Sequence, residues 1–172
     1  MPIEPYLDVS LVLLVCTAAI NDLATRRIPN RLLLAGVGCA FLLHLLSAHP
    51  VASVLAALGG MGIGLAVFLP FYLLRGMAAG DVKMIAAVGA FVGPGEVFEV
   101  AVLTWCAGGV MALCVLLARN RLRLALTNIS RLLSGGMVAG HRMAGLSLQQ
   151  SAGSIPYGLA IAIGTIAVLI RH

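Results

Sequence analysis

The sequence predicts an all-α, polytopic membrane protein with about six transmembrane helices. Its 172 residues have a mean hydropathy of +1.08, and only 10% of them carry a charged side chain. A water-soluble domain needs far more polar surface than this composition supplies. The apolar residues form several runs, and these runs lack the period-two alternation of membrane β-strands. We therefore expect one integral membrane domain over residues 1–172.

Turn-forming and basic residues divide the chain into its elements. They lie at Pro29-Asn30, His49-Pro50, Arg75-Gly76, Gly93-Pro94-Gly95 and after Ala118. A helix needs roughly 20 apolar residues to cross the hydrocarbon. This requirement places the spans near residues 6–23, 31–48, 51–74, 82–95, 97–118 and 152–170.

The first and fourth spans are short. The first is strongly apolar only from Val9 to Ile20, so it must extend through Leu23, which draws Asp22 to the inner edge of the hydrocarbon. The fourth has only the apolar stretch 82–92 before the Gly-Pro-Gly break. We expect it both to extend past this break toward Glu96 and to begin below the membrane surface at Asp81, because short or broken helices at membrane depth are tolerated where they line a water-filled cavity.

The segment 119–134 differs in pattern from the spans. Its apolar residues recur at helical spacing with arginines between them, at Leu122, Leu126, Ile129 and Leu133. This pattern is typical of an amphipathic helix lying on the cytoplasmic leaflet. The Gly- and Ser-rich stretch that follows, as far as Gly153, is expected to be a loop.

Charge predicts the orientation of the spans. Ten of the eleven basic residues lie on or next to the loops 24–30, 75–81 and 119–151, with Arg171 the exception. Cytoplasmic loops carry an excess of Lys and Arg, so these loops are expected inside and the N-terminus outside. Four of the six acids then fall outside: Glu4, Asp8, Glu96 and Glu99. The net charge of +5 thus reflects topology, and no nucleic-acid partner is expected.

The sequence lacks the motifs that most other classes of hydrolase and most metal sites require. The four cysteines lie in apolar runs without CxxC spacing, and the histidines form no HExxH motif. No Ser has the surroundings of a nucleophile elbow, and His44 is expected to be a packed residue. We predict neither a metal nor an organic cofactor.

The two remaining acids are Asp22 and Asp81, each placed where an apolar run meets a short polar loop. An ionisable group at such a position costs free energy, so its presence suggests a function. Two adjacent carboxyl groups can share the work of peptide hydrolysis: an ionised one takes a proton from water, while a protonated one polarises the scissile carbonyl. The sequence therefore suggests an aspartyl protease that works within the membrane.

Other interpretations remain open for the same residues. Asp81 could cap the helix that follows it, and Asp22 could form an i,i+4 pair with Arg26. The two aspartates could also act as a relay in a proton- or ion-coupled transporter. Inverted repeats would favour a transporter, and the sequence has no evident internal repeat.

Three motifs stand out: Asp22 followed by Arg26-Arg27-Ile28-Pro29-Asn30, a loop ending Gly80-Asp81-Val82-Lys83, and the sequence Ile155-Pro156-Tyr157-Gly158 at the last span. Together they resemble those of the type IV prepilin peptidases, which are aspartyl proteases of the GxGD class. The resemblance covers about residues 6–170. It implies an endopeptidase of the bacterial inner membrane that removes the basic leader of a prepilin on the cytoplasmic side, with Asp22 and Asp81 as catalytic residues.

The resemblance is to the small form that serves tight-adherence (Flp-type) pili. The cysteine-bearing insertion of the larger, bifunctional members is missing, so N-methyltransferase activity is not expected. Ala78 stands where the family motif has its first Gly. Together with Gly80 and Lys83, it is expected to line the loop that receives the substrate. A non-catalytic subunit of a pilus-assembly machine is a further alternative.

Overall fold

A computed structural model of the chain describes residues 3–74, 76–118 and 157–171, and these residues form helices joined by short turns. The helices of this described part are α1 (Glu4–Thr25), α2 (Asn30–Leu45), α3 (Pro50–Leu73), α4 (Ala79–Ala118) and α5 (Tyr157–Arg171). The all-α class is confirmed. The predicted amphipathic helix 119–134 and the loop after it lie outside the described residues.

Length and surface are those of a membrane protein. By length and composition, α1, α3 and α4 can each cross a membrane, whereas α2 and α5 are shorter apolar helices. Large apolar side chains cover the outside of the bundle, among them Leu34, Leu46, Val51 and Ile170. Exposed apolar side chains of this size and number suit lipid and not water.

The boundaries of the first three helices follow the breakers in the sequence, but α4 differs from prediction. It begins at Ala79, three residues before the predicted span, so Asp81 lies inside its first turn. The predicted spans 82–95 and 97–118 are joined in one helical assignment, which Gly93 interrupts with φ 79° and ψ −177°. A positive φ is readily adopted by glycine, which has no Cβ. We call residues 79–92 the first arm and residues 94–118 the second arm.

Contacts with α3 show that the chain reverses direction at Gly93. Along the first arm, Gly60 packs on the backbone of Gly89 and Gly64 packs on that of Ile85, so the two helices are antiparallel. The small-xxx-small spacing of Gly60 and Gly64 allows this close approach.

The second arm runs in the opposite sense along α3. A Cβ on Gly59 would lie 3.9 Å from Pro94, and Phe68 and Phe71 stack on Trp105 with ring centroids 5.9 and 5.3 Å away. The two arms are therefore antiparallel to each other.

A buried histidine stabilises the break. Pro94 has no N–H, so the carbonyl of Ala90, four residues earlier, has no helical donor. His44 Nε2 lies 2.9 Å from that carbonyl oxygen and donates to it. His44 is thus the packed residue that the sequence predicts, and its hydrogen bond replaces the one that Pro94 removes.

The remaining helices alternate in direction as well. In α1 and α2, a Cβ on Gly36 would lie 2.6 Å from Leu14, and Cys39 lies 3.8 Å from Ser10, so the pair is antiparallel. In α5, Gly164 packs on Thr104 while Tyr157 packs on Gly108, so α5 is antiparallel to the second arm. The bundle consequently has one end that holds the end of α1, the start of α4 and the start of α5. We call it the aspartate end.

Candidate active site

Asp22 lies in the last turn of α1 and is only 7% exposed. The helix ends at Thr25 and is capped by Arg26, whose φ of 55° is left-handed and whose N–H donates to the carbonyl of Asp22 at 2.9 Å. The side chain of Asp22 points into the bundle, where its Oδ2 accepts the N–H of Gly158 at 2.9 Å. The end of α1 is thereby joined to the start of α5.

Asp81 is the third residue of α4 and is only 6% exposed. Its Oδ2 accepts the N–H of Ala78 at 3.2 Å, and its own N–H donates to the carbonyl of Ala78 at 3.1 Å. This is the reach-back half of a capping box, in which the third helical residue satisfies the N–H of the residue before the helix. Asp81 therefore contributes to capping, although it is not the N-cap residue itself.

The structure brings Asp22 and Asp81 together from elements far apart in the chain. The Asp22 carboxylate acts electrostatically on Asp81, and Asp81 in turn acts on the phenol of Tyr157. All six acids of the chain lie in its described part, and these two alone are buried. The other four, Glu4, Asp8, Glu96 and Glu99, belong to the opposite end of the bundle, where Glu99 pairs with Arg171 at 3.6 Å.

The predicted loop residues lie beside Asp81 and have distinct contacts. Ala78 is exposed and donates its N–H to Asp81. Gly80 is half-buried, and a Cβ added to it would lie 3.5 Å from the Cβ of Ile28. Lys83 is exposed, and its Nζ donates to Asn30 Oδ1 at 3.1 Å. Gly80 and Lys83 thus connect the start of α4 to the α1–α2 connection.

The structure adds a contact for Gly80 to the expectation from the sequence. The sequence suggested that a small residue here lets an extended substrate backbone approach closely. Within the described residues, Gly93 is the glycine with a positive φ, and Gly80 lies in the first turn of α4. What the small residue provides is space against Ile28.

Sequence analysis missed the role of the first turn of α5. The motif around Tyr157 and Gly158 contributed to the family resemblance but was given no function. In the structure, Gly158 touches Asp22, and Tyr157 lies within electrostatic range of Asp81. The sequence showed only that Gly158 is a glycine at the start of an apolar run, and this feature does not indicate which residue it contacts.

Two buried carboxyl groups that interact electrostatically have the chemistry of an acid–base pair, in which one group can act as the acid and the other as the base. Such a pair can give and take a proton in one reaction. Among the described residues, no three His, Cys, Asp or Glu side chains come together as a set of metal ligands.

Comparison with curated proteins and with solved structures found no match to this chain. The sequence profile of the type IV leader peptidase family does match it, over residues 9–113. That range is more than half of the 172 residues and includes both Asp22 and Asp81. The chain therefore belongs to the type IV leader peptidase family, whose members are peptidases that act on prepilin substrates.

Proposed function

We propose that this protein is an aspartyl endopeptidase that removes the basic leader of type IV prepilin-like substrates at the cytoplasmic face of the bacterial inner membrane. Family membership supports a prepilin leader peptidase in general. The observation that carries the aspartyl mechanism is the convergence of Asp22 and Asp81, the two buried acids, at one end of the bundle. Both are proposed as catalytic residues.

The pair would work by general acid–base catalysis. The ionised carboxyl takes a proton from a water molecule, which attacks the scissile carbonyl carbon, while the protonated carboxyl donates its proton to the carbonyl oxygen. The gem-diol intermediate then collapses: the carboxyl that took the water proton gives it to the leaving amine, the C–N bond breaks, and a hydroxyl of the intermediate returns its proton to the other carboxyl. Burial excludes bulk water and strengthens these interactions. The proposal requires no metal or organic cofactor and includes no N-methyltransferase activity.

The proposed membrane topology has six crossings, with the N-terminus outside and the aspartate end in the cytoplasm. The alternating directions of α1, α2, α3, the two arms of α4 and α5 support it. The exposed basic residues Arg27, Arg31 and Lys83 lie at the aspartate end, and a basic end is expected to face the cytoplasm.

A prepilin fits this arrangement. Its basic leader would remain in the cytoplasm while its apolar helix docks among the spans, so that the junction between them meets Asp22 and Asp81. Ala78, which is exposed and bonded to Asp81, is proposed to border the bound backbone. Gly80 and Lys83 would hold the start of α4 in place beside it.

The test is cleavage by the protein reconstituted in lipid vesicles. A synthetic substrate with a basic leader and an apolar helix should lose the mass of the leader, and Asp22→Asn and Asp81→Asn should each abolish this loss. Asn retains a side-chain oxygen that can accept the N–H of Gly158 or Ala78, so both variants should insert and fold.

Asp8→Asn is the matched control, because Asp8 lies in the same helix as Asp22 but is exposed at the opposite end. It should cleave like the parent. Full processing by either buried-aspartate variant would contradict the proposal. Proton flux across the vesicle without cleavage would support the transporter, and neither activity would indicate a non-catalytic assembly subunit.

A further inference from the structure

The first turn of α5 is bonded directly to one of the two buried acids. The N–H of Gly158 donates to Asp22 Oδ2 at 2.9 Å, in a buried contact between residues 136 positions apart. A backbone N–H has a fixed position and donates best along one direction, so the oxygen that accepts it is held in a defined place. This contact therefore fixes both the direction and the position of the Asp22 carboxyl.

Glycine is also required here for its lack of a side chain. A Cβ added to Gly158 would lie 2.9 Å from Asp22 Oδ2, 3.0 Å from its Cβ and 3.2 Å from its Cγ. All three atoms belong to Asp22, and its Cβ cannot move without its backbone. A methyl group at Gly158 would therefore displace either the carboxyl or the start of α5.

Packing elsewhere on α5 limits how far the helix can shift. The ring of Tyr157 lies on Gly108, where an added Cβ would be 3.0 Å from the phenol oxygen. Further along, an added Cβ on Gly164 would lie 2.6 Å from Thr104 Oγ1 and 2.9 Å from its backbone nitrogen. Since α5 is held at both places, strain from a side chain at Gly158 falls mainly on Asp22.

We infer that Gly158 is a positioning residue, which holds Asp22 in its working geometry through a main-chain hydrogen bond and through the absence of a side chain. The inference rests on the proposed function, because it assigns Asp22 a catalytic role. It extends the site to α5, beyond the residues 9–113 that match the family. A displacement of about 1 Å in such a group can reduce a rate by about 100-fold.

The first experiment compares Gly158→Ala with Gly164→Ala in the reconstituted protein. Both add one methyl group to a crowded glycine of the same helix, but Gly164 is remote from Asp22. Gly158→Ala should reduce kcat at least tenfold while KM stays close to the parent value. Gly164→Ala should lower the melting temperature as much or more, and the kcat of its folded fraction should fall less than that of Gly158→Ala. An unchanged kcat for Gly158→Ala would overturn the inference.

A second readout observes the Asp22 carboxyl without relying on activity. The chain has three aspartates, Asp8, Asp22 and Asp81. In the Asp8→Asn, Asp81→Asn background, ¹³C-labelled aspartate therefore reports Asp22 alone, by infrared or NMR spectroscopy. Gly158→Ala should shift this carboxyl signal more than Gly164→Ala does. No shift with Gly158→Ala would also overturn the inference.

A double variant covers the case in which Gly158→Ala folds poorly. Asp22→Ala removes Oδ2 and Cγ, two of the three crowded atoms, so Gly158→Ala should destabilise that background less than it destabilises the parent. Equal destabilisation in both backgrounds would show that the crowding does not involve the carboxyl. Failure of the proposed function would appear separately, as cleavage by Asp22→Asn.

Discussion

At the residue scale, burial separates two acids from the other four. Asp22 and Asp81 are 7% and 6% exposed, and each carboxyl accepts one backbone N–H. A buried carboxyl without such a donor would be costly. The neighbouring small residues have different reasons for being small: Gly158 makes room for Asp22, whereas Gly80 makes room for Ile28.

Substitutions at Gly80 should show whether this position needs a small side chain because of its packing against Ile28. Gly80→Ala should be accepted, because its Cβ would be in ordinary contact with Ile28 at 3.5 Å. Gly80→Val adds two γ-methyl groups, which should press on Ile28, shift the start of α4 and reduce the cleavage rate by about tenfold, or about 1.4 kcal/mol in the barrier. Cleavage rates measured in vesicles provide the comparison.

Ala78→Gly is the neighbouring control for these variants. Ala78 is exposed, and its contact with Asp81 uses the backbone N–H, which glycine retains. Its cleavage rate should therefore equal or exceed that of the parent. A Gly80→Val variant as active as Ala78→Gly would mean that the packing of Gly80 on Ile28 does not position Asp81.

At the element scale, the reversal inside α4 determines which residues can meet. In one straight helix, residues 81 and 105 would be about 36 Å apart. Instead, the first arm is antiparallel to α3 and the second arm is parallel to it, so Trp105 lies towards the aspartate end. The break depends on Gly93 for its positive φ and on His44 for the hydrogen bond to Ala90.

Replacement of His44 tests this account of the break. His44→Leu leaves the Ala90 carbonyl unpaired in a buried place, which should lower the free energy of unfolding by about 1–3 kcal/mol. His44→Gln retains a side-chain N–H donor and should lose less. Thermal unfolding in detergent measures both, and equal stability of the Leu variant and the parent would contradict the proposed role of the hydrogen bond.

At the scale of the whole molecule, the helical segments of residues 3–74, 76–118 and 157–171 alternate in direction and place both aspartates at one end. The contacts that establish this include Gly158 on Asp22 and Lys83 on Asn30. The bundle therefore has a basic end with two buried acids and an opposite end with exposed acids. This asymmetry supports the proposed orientation in the membrane.

Accessibility labelling tests that orientation. In a background without Cys16, Cys39, Cys106 and Cys114, single cysteines at the exposed positions Arg27 and Gly76 should react from the cytoplasmic side. Cysteines at His49 and Gly95 should react from outside, and the substituted proteins should retain cleavage as evidence of folding. If positions 27 and 76 label from opposite sides, about 30 Å of hydrocarbon separates them and no shared site exists.

The sequence by itself determined the all-α class and the positions of most breaks between helices. It also singled out Asp22 and Asp81 as the candidate catalytic residues. These features depend on hydropathy, on Pro and Gly, and on the rarity of acids, all of which are read locally along the chain. It could not place Asp81 within the first turn of α4, because helix starts depend on a few hydrogen bonds that neighbouring elements stabilise.

Only the tertiary structure decided which distant residues meet. The hydrogen bonds from Gly158 to Asp22 and from His44 to Ala90 join residues 136 and 46 positions apart. The local sequence around Gly158 or His44 does not identify the residue that each contacts, because a glycine in an apolar run and a histidine in a helix are compatible with many neighbours. Their contacts follow from helix directions and close packing, which exist only when the whole bundle has formed.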